Sequence, residues 1–189
     1  MKNTKYELNI IQQINSQKVR DPVLLAILES SQLTGVPFQL ILSIYLIETN
    51  QRNKFQRLLE IIFLKINIFL YYCFDFPLIN ITVGYMQIKI SNILDNQNVI
   101  YLKKNSSLKL LVPYNKRIIV AEQLLRISNI STIYDASIFL KKIIINKSIV
   151  KSKIPYSLNE VTAIARSYNG EQVLKGIYPK VLYILLNSL

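Results

Sequence analysis

The chain has no histidine, one cysteine, four glycines and less than half as many acidic as basic residues. Each shortage closes something off. Without histidine there can be no Ser-His-Asp or Cys-His catalytic site and no His-rich zinc site. The single cysteine, Cys73, excludes an intramolecular disulfide. It stands in the apolar-aromatic run Tyr71-Tyr72-Cys73-Phe74 and reads as an inert buried thiol, not a nucleophile. Scarce glycine, in a chain dominated by Leu and Ile, favours a mainly helical protein over a Gly-rich β-sandwich. Any chemistry must therefore come from carboxylates, hydroxyls, amides and lysines, with no metal and no cofactor expected. Eleven Asp and Glu stand against 23 Lys and Arg, a net +12. Such a field suits an anionic polymer: nucleic acid, acidic lipid, or bacterial wall with its teichoic acids.

What is present is a chain of 189 residues, long enough for one well-buried domain. A single domain over 1–189 is expected, with N-terminal helices in 1–34 and a core in 35–189. Leu8, Ile11 and Ile14 mark a modest amphipathic helix over Tyr6 to Gln17. Asp21-Pro22 supplies an N-cap and a first-turn proline for the next helix, which Thr34-Gly35 ends. Further helices are expected over Ile118–Ile127, Ile133–Ile145, from Leu158 onward, and from Gly176 to Leu189. Lys147 to Lys153 reads as a basic linker, and Lys103, Lys104 and Lys109 as a solvated basic face. A small β-hairpin or irregular lobe is expected within Asp75 to Leu111.

The helix begun by Pro37 carries the most chemical information. At about 100° per residue, Gln39, Ser43 and Asn50 cluster and mark its wet face. Glu48 falls about 180° from Gln39, on the side of Ile41, Ile44 and Tyr45. A carboxyl group held against apolar surface has its charged form disfavoured and can deliver a proton to a leaving oxygen. Further on, Gly84 allows positive φ or a close backbone approach, and Gln87 offers two donors and an acceptor suited to sugar hydroxyls or an N-acetyl group.

The order of these pieces carries a resemblance. A glutamate closing an apolar helix is followed by Gly84-Tyr85-Met86-Gln87-Ile88, then Ala165-Arg166-Ser167-Tyr168-Asn169-Gly170. Val173 and Tyr178-Pro179-Lys180-Val181-Leu182 come last. From about Val36 to Leu186 this resembles the lysozyme-like soluble lytic transglycosylase family, whose catalytic Glu precedes Gly-Leu-Met-Gln and Tyr-Asn-Ala-Gly. Thr82 stands where the family has Ala, and the Ala between Asn and Gly is missing. Ala136 to Lys142 is similar to the helix that members pack beneath the active-site floor. The resemblance implies a mainly α, lysozyme-like domain that cleaves the bond between N-acetylmuramic acid and N-acetylglucosamine in peptidoglycan. It implies Glu48 as acid and base, with Thr82, Gly84, Tyr85, Met86, Gln87, Tyr168 and Asn169 against the substrate. Asp75, the only acid between Glu60 and Asp95, is the candidate second carboxylate if the reaction is hydrolysis. Without one, attack by the muramyl 6-hydroxyl would leave a 1,6-anhydro product.

The expected partner is the peptidoglycan strand, met by a monomer, with no nucleic acid: no RRM or zinc-finger pattern accompanies the bases. The stretch Leu58–Phe74 is apolar, but Glu60, Lys65 and Asn67 interrupt it, so a buried amphipathic helix is expected there and no transmembrane span. Two other classes stay open: a non-catalytic basic module holding an anionic polymer, and a membrane-active helical toxin built on Leu58–Phe74. No continuous apolar run of signal-peptide length follows Met1 to Glu7. Action at the wall, periplasmic or extracellular, is expected with the export route open.

Overall fold

The computed structural model describes Gln12 and residues 18–149, 155–169 and 177–188. The helix expected over Tyr6–Gln17 (apart from Gln12), most of the Lys147–Lys153 linker, Gly170 and Val173 lie outside the described residues. The protein is mainly helical with a small antiparallel sheet component, and the chain sorts into two compact units, 1–51 with 137–189, and 52–136.

In the first unit, α1 runs Asp21–Thr34 and α2 runs Phe38–Gln51. Arg20, not Asp21, is the N-cap of α1; Asp21 instead places its charge in the first turn, where the helix dipole favours an anion. Gly35 closes α1 at φ 72° with its N–H on the Ser31 carbonyl, the left-handed cap that glycine adopts without a Cβ penalty. Pro37 sits one residue before α2, its carbonyl accepting from the Leu40 and Ile41 N–H groups. The expected wet face of α2 is a correction: Ser43 is completely buried, beside Ile44 and Leu40. The reason is that α2 packs against both α1 and the last helix, α8 (Ile177–Ser188), so no broad face is left to water. Helix α7 (Leu158–Asn169) packs along α8. It starts with a reciprocal cap in which the Ser157 N–H and hydroxyl donate to Glu160 Oε2 and the Glu160 N–H donates to Ser157 Oγ, satisfying otherwise orphan donors.

The second unit opens with α3, Lys54–Phe74. Asn53 and Gln56 form its capping box, Gln56 N–H to Asn53 Oδ1 at 2.8 Å and Asn53 N–H to Gln56 Oε1 at 3.1 Å. Two short pairings follow. Strands β2 (Thr82–Val83) and β3 (Ile88–Lys89) pair antiparallel across the Gly84 turn. Strands β1 (Leu78–Ile79), β5 (Ser107–Leu110) and β4 (Tyr101–Lys104) form a sheet in the order β1-β5-β4, with β4 and β5 the hairpin expected in this region. Helix α4 (Ile90–Asn96) and, after a 3-10 turn at Tyr114–Lys116, α5 (Arg117–Leu125) complete it, and α5 packs on α3. Helix α6 (Ser131–Asn146) carries the boundary between the units, at Ala136–Ser137. Lys103, Lys104 and Lys109 are exposed.

The buried helix expected over Leu58–Phe74 is corrected. Its inward stripe is narrow: Arg57, Leu64, Asn67, Ile68 and Tyr71, with Asn67 Oδ1 accepting the Ile79 N–H at 2.8 Å. Phe55, Leu58, Leu59, Ile62, Phe63, Ile66 and Phe69 are exposed. Cys73 is exposed too, because it lies about 200° around the helix from Tyr71; the expectation of a buried thiol fails for that reason. Among the described residues no helix is long and apolar enough to cross a membrane.

Candidate active site

Glu48 lies in the last turn of α2 and is 4% exposed. Its Oε1 accepts the Tyr178 hydroxyl at 2.9 Å, a contact spanning 130 residues of chain. Burial of this kind follows from the helix pattern, since Ile41, Ile44 and Ile47 around it are in the core. Tyr178 stands in the first turn of α8, and its hydroxyl also receives a hydrogen bond from the Asn169 side chain at the end of α7. Tyr168, one residue earlier, is buried with its ring 5.9 Å from that of Phe139 on α6. Three helices thus bring one carboxyl, two phenols and an amide together inside one unit.

The electrostatics of the cluster run in one direction. Burial holds the Tyr178 hydroxyl well above the usual tyrosine range, and the Glu48 charge and the neighbouring Tyr168 add to this, while the Asn169 hydrogen bond opposes it. Burial, then the Glu48 charge, holds Tyr168 well above that range as well. Both phenols therefore stay protonated and act as O–H donors or neutral dipoles. For the carboxyl, a low-dielectric setting serves the protonated form and a donated O–H serves the ionised form. Among the described carboxylates of this unit, Asp21 and Glu29 are exposed and Glu160 is engaged in the α7 cap; Glu48 alone is buried.

The second unit holds the Gly84 turn. Gly84 has φ 74°, and a Cβ there would come within 2.2 Å of Thr132 Oγ1 and 2.4 Å of Thr132 Cγ2. Both the conformation and the close approach demand glycine. Gln87 adopts φ 49° and is 8% exposed. Its amide is committed within the fold: Nε2 donates to Glu60 Oε2 at 3.0 Å and to the Gly84 carbonyl at 2.8 Å, and Oε1 accepts from Thr82 Oγ1 at 3.0 Å. Both N–H donors, expected to face sugar, are occupied. Glu60 is held from its other side by Arg52. Met86 is fully buried, and the Arg57 guanidinium stands 5.4 Å from the centre of the Tyr85 ring, within cation–π range. Asp75 caps the C-terminus of α3 at φ 57° and pairs with Arg117 Nη1 at 3.0 Å on an exposed surface.

The candidate residues thus fall into two sets. Glu48, Tyr168 and Asn169 belong to the first unit; Asp75, Thr82, Gly84, Tyr85, Met86 and Gln87 belong to the second. Sequence reasoning missed Tyr178 as the partner of Glu48 and Glu60 as the partner of Gln87. Tyr178 stood inside the quoted C-terminal motif, which was the available signal. Nothing local marked Glu60, 27 residues from Gln87. Among the described residues no group of three or more Cys, Asp or Glu side chains is placed to hold a metal ion. No protein-family model, no curated protein and no solved structure matches this chain.

Proposed function

We propose that this protein is a peptidoglycan-cleaving muramidase that uses Glu48 alone as acid and then base. The observation that carries the reading is the buried Glu48 carboxyl at the end of α2, in contact with the Tyr178 hydroxyl and beside Tyr168. In the first step protonated Glu48 gives its proton to the glycosidic oxygen as the bond from that oxygen to the muramyl C1 breaks. In the second, the muramyl 6-hydroxyl oxygen bonds to C1 and its proton returns to Glu48. No water is consumed and a 1,6-anhydro end is left. A general acid must be protonated and a general base ionised at successive moments, and the Tyr178 donor offers the ionised form a hydrogen bond that its protonated oxygen does not need.

The single-carboxylate route is supported by the surroundings of the other acids. Retaining and inverting hydrolysis both need a second carboxyl at a defined separation. In the unit of Glu48 the other described acids are exposed or engaged in a helix cap, and Asp75 is engaged by Arg117. The net +12 favours accumulation on an anionic wall. Mass spectrometry of muropeptides after incubation with purified peptidoglycan tests the reading. Anhydro ends are expected from the native protein and not from Glu48→Gln. Reducing ends would replace the anhydro route by hydrolysis, and no soluble product would end the enzyme reading.

A further inference from the structure

Helix α3 presents to solvent the kind of surface that most helices bury. At about 100° per residue, Leu58, Phe69, Ile62, Phe55, Ile66 and Phe63 share an arc of about 140° with no polar side chain in it. All six are exposed, Phe55 at 66% and Phe69 at 59%. The helix has 21 residues, hence a length of about 31 Å. The surface continues onto α5. Phe69 and Tyr72 of α3, with Ile118 and Leu125 of α5, line a groove of about 290 Å³ whose acidic member is Glu122. Contiguous exposed apolar patches beyond a few hundred Å² are rare on soluble proteins and mark contact with a protein or a membrane.

Charge decides between those occupants. Residues 52–136 carry eleven Lys and Arg against five Asp and Glu. Exposed Lys54 and Lys65 stand along one edge of the apolar arc on α3 itself, and exposed Lys116 stands next to the start of α5. A second copy would set these cations, and two chains of +12 each, against one another. An anionic lipid surface reverses the sign of that interaction while accepting the phenylalanines and isoleucines. Aromatic and aliphatic residues on one helix face, with Lys along one edge, are the makings of a helix that lies in the headgroup region without spanning. We propose that the outward face of α3, extended by α5, is a peripheral docking surface for an anionic bilayer. This face and the Glu48 cluster lie in different units, and the two readings stand or fall separately.

The sole cysteine provides a direct probe, because Cys73 is exposed and falls in the middle of the same arc. The full chain, labelled at Cys73 with an environment-sensitive fluorophore, is mixed with vesicles of phosphatidylglycerol and phosphatidylcholine, and in parallel with vesicles of phosphatidylcholine alone. Co-flotation with the anionic vesicles and a blue shift of the probe are expected, both weakening as salt rises. Each basic residue near the surface contributes about five-fold in affinity. The triple variant Phe55→Ser/Ile62→Ser/Ile66→Ser should bind at least ~10-fold more weakly, since three side chains lose their transfer to lipid. Four results would overturn the proposal: no flotation of folded protein, flotation without a shift at Cys73, equal binding to both vesicle types, or a dimer that the triple variant abolishes in the absence of vesicle binding. The Cys73 shift needs no substitution, so it decides the matter even if the triple variant does not fold.

Discussion

Helices α2 and α3 follow one another in the chain, are similarly rich in Ile, Leu and Phe, and are treated in opposite ways by the fold. Of the 14 residues of α2, seven are buried, including Ser43 and Glu48; of the 21 of α3, five are. Helix α2 is covered by α1 and α8, so even two of its polar residues, Ser43 and Glu48, go inside. Helix α3 is covered along one narrow stripe and offers its most apolar arc to the outside. Burial is therefore a property of the neighbours and not of composition. A carboxylate on the well-covered helix becomes a chemical group, while phenylalanines on the poorly covered one become a surface.

The largest expected effect tests what burial does for α2. Glu48→Gln keeps the shape but has no acidic proton, so release of muropeptides should fall by about 10²–10⁴-fold, the usual share of general acid catalysis. Binding to intact wall should persist, because the basic surface is untouched. Release at the native rate would leave Glu48 a structural residue. The next effect concerns packing. Leu64→Ala, on the inward stripe of α3, should cost about 2–5 kcal/mol in chemical denaturation, whereas the outward Ile62→Ala should stay within about 0.5 kcal/mol. Equal costs would mean that the outer arc is packed against protein, and the contrast between the helices would collapse.

Tyr178→Phe removes the donor to Glu48 and should cost about 1.5–3 kcal/mol, the range for a hydrogen bond to a charged group. The loss should shrink in a Glu48→Gln background if the two residues are coupled; an undiminished loss would assign it to packing of the ring. The last effect, confined to alkaline solution, is the pH dependence. Tyr168 and Tyr178 are held well above the usual tyrosine value, and burial followed by the Glu160 charge pushes Tyr156 up to about 12. Between about pH 10 and those raised values the folded chain holds protons that the unfolded chain has released. Stability from these groups is thus fully present below about pH 10 and declines as pH rises further, by up to about 1.4 kcal/mol per pH unit for each tyrosine. Glu48→Gln should soften this decline, since the Glu48 charge is one of its causes at two of the three positions. Stability that stays level from roughly pH 9 to 11 would contradict the burial of the cluster.

Much of the local structure was legible beforehand because it is set by local physics. The Gly35 cap, the proline-led starts of α1 and α2, the Gly84 turn and the placing of Glu48 opposite Gln39 all follow from which backbone angles and helix faces each residue can occupy. The hairpin of β4 and β5 was legible only as a region. Gln87 could be read as a free amide because its partners, Glu60 and Thr82, reach it from other elements. The same gap hid the Asn169 to Tyr178 contact.

The sequence by itself determined that the chain is mainly helical, where α1 and α7 begin, that the backbone can turn at Gly84, and that Glu48 shares a face with isoleucines, whereas it set the start of α3 at Leu58 instead of Lys54, closed α2 at Glu48 instead of Gln51, and left α4 unmarked. Those properties depend on residues within a turn or two of each other, whose interactions have the 3.6-residue period of the helix. Only the tertiary structure decided that Tyr178 meets Glu48 across 130 residues, that Ser43 is inside, that Cys73 and the phenylalanines of α3 are outside, and that the Gln87 amide is held by Glu60. An apolar stripe states that a face can be buried, but the helix that covers it comes from elsewhere in the chain, and α3 had one covered stripe and one wide apolar arc left over.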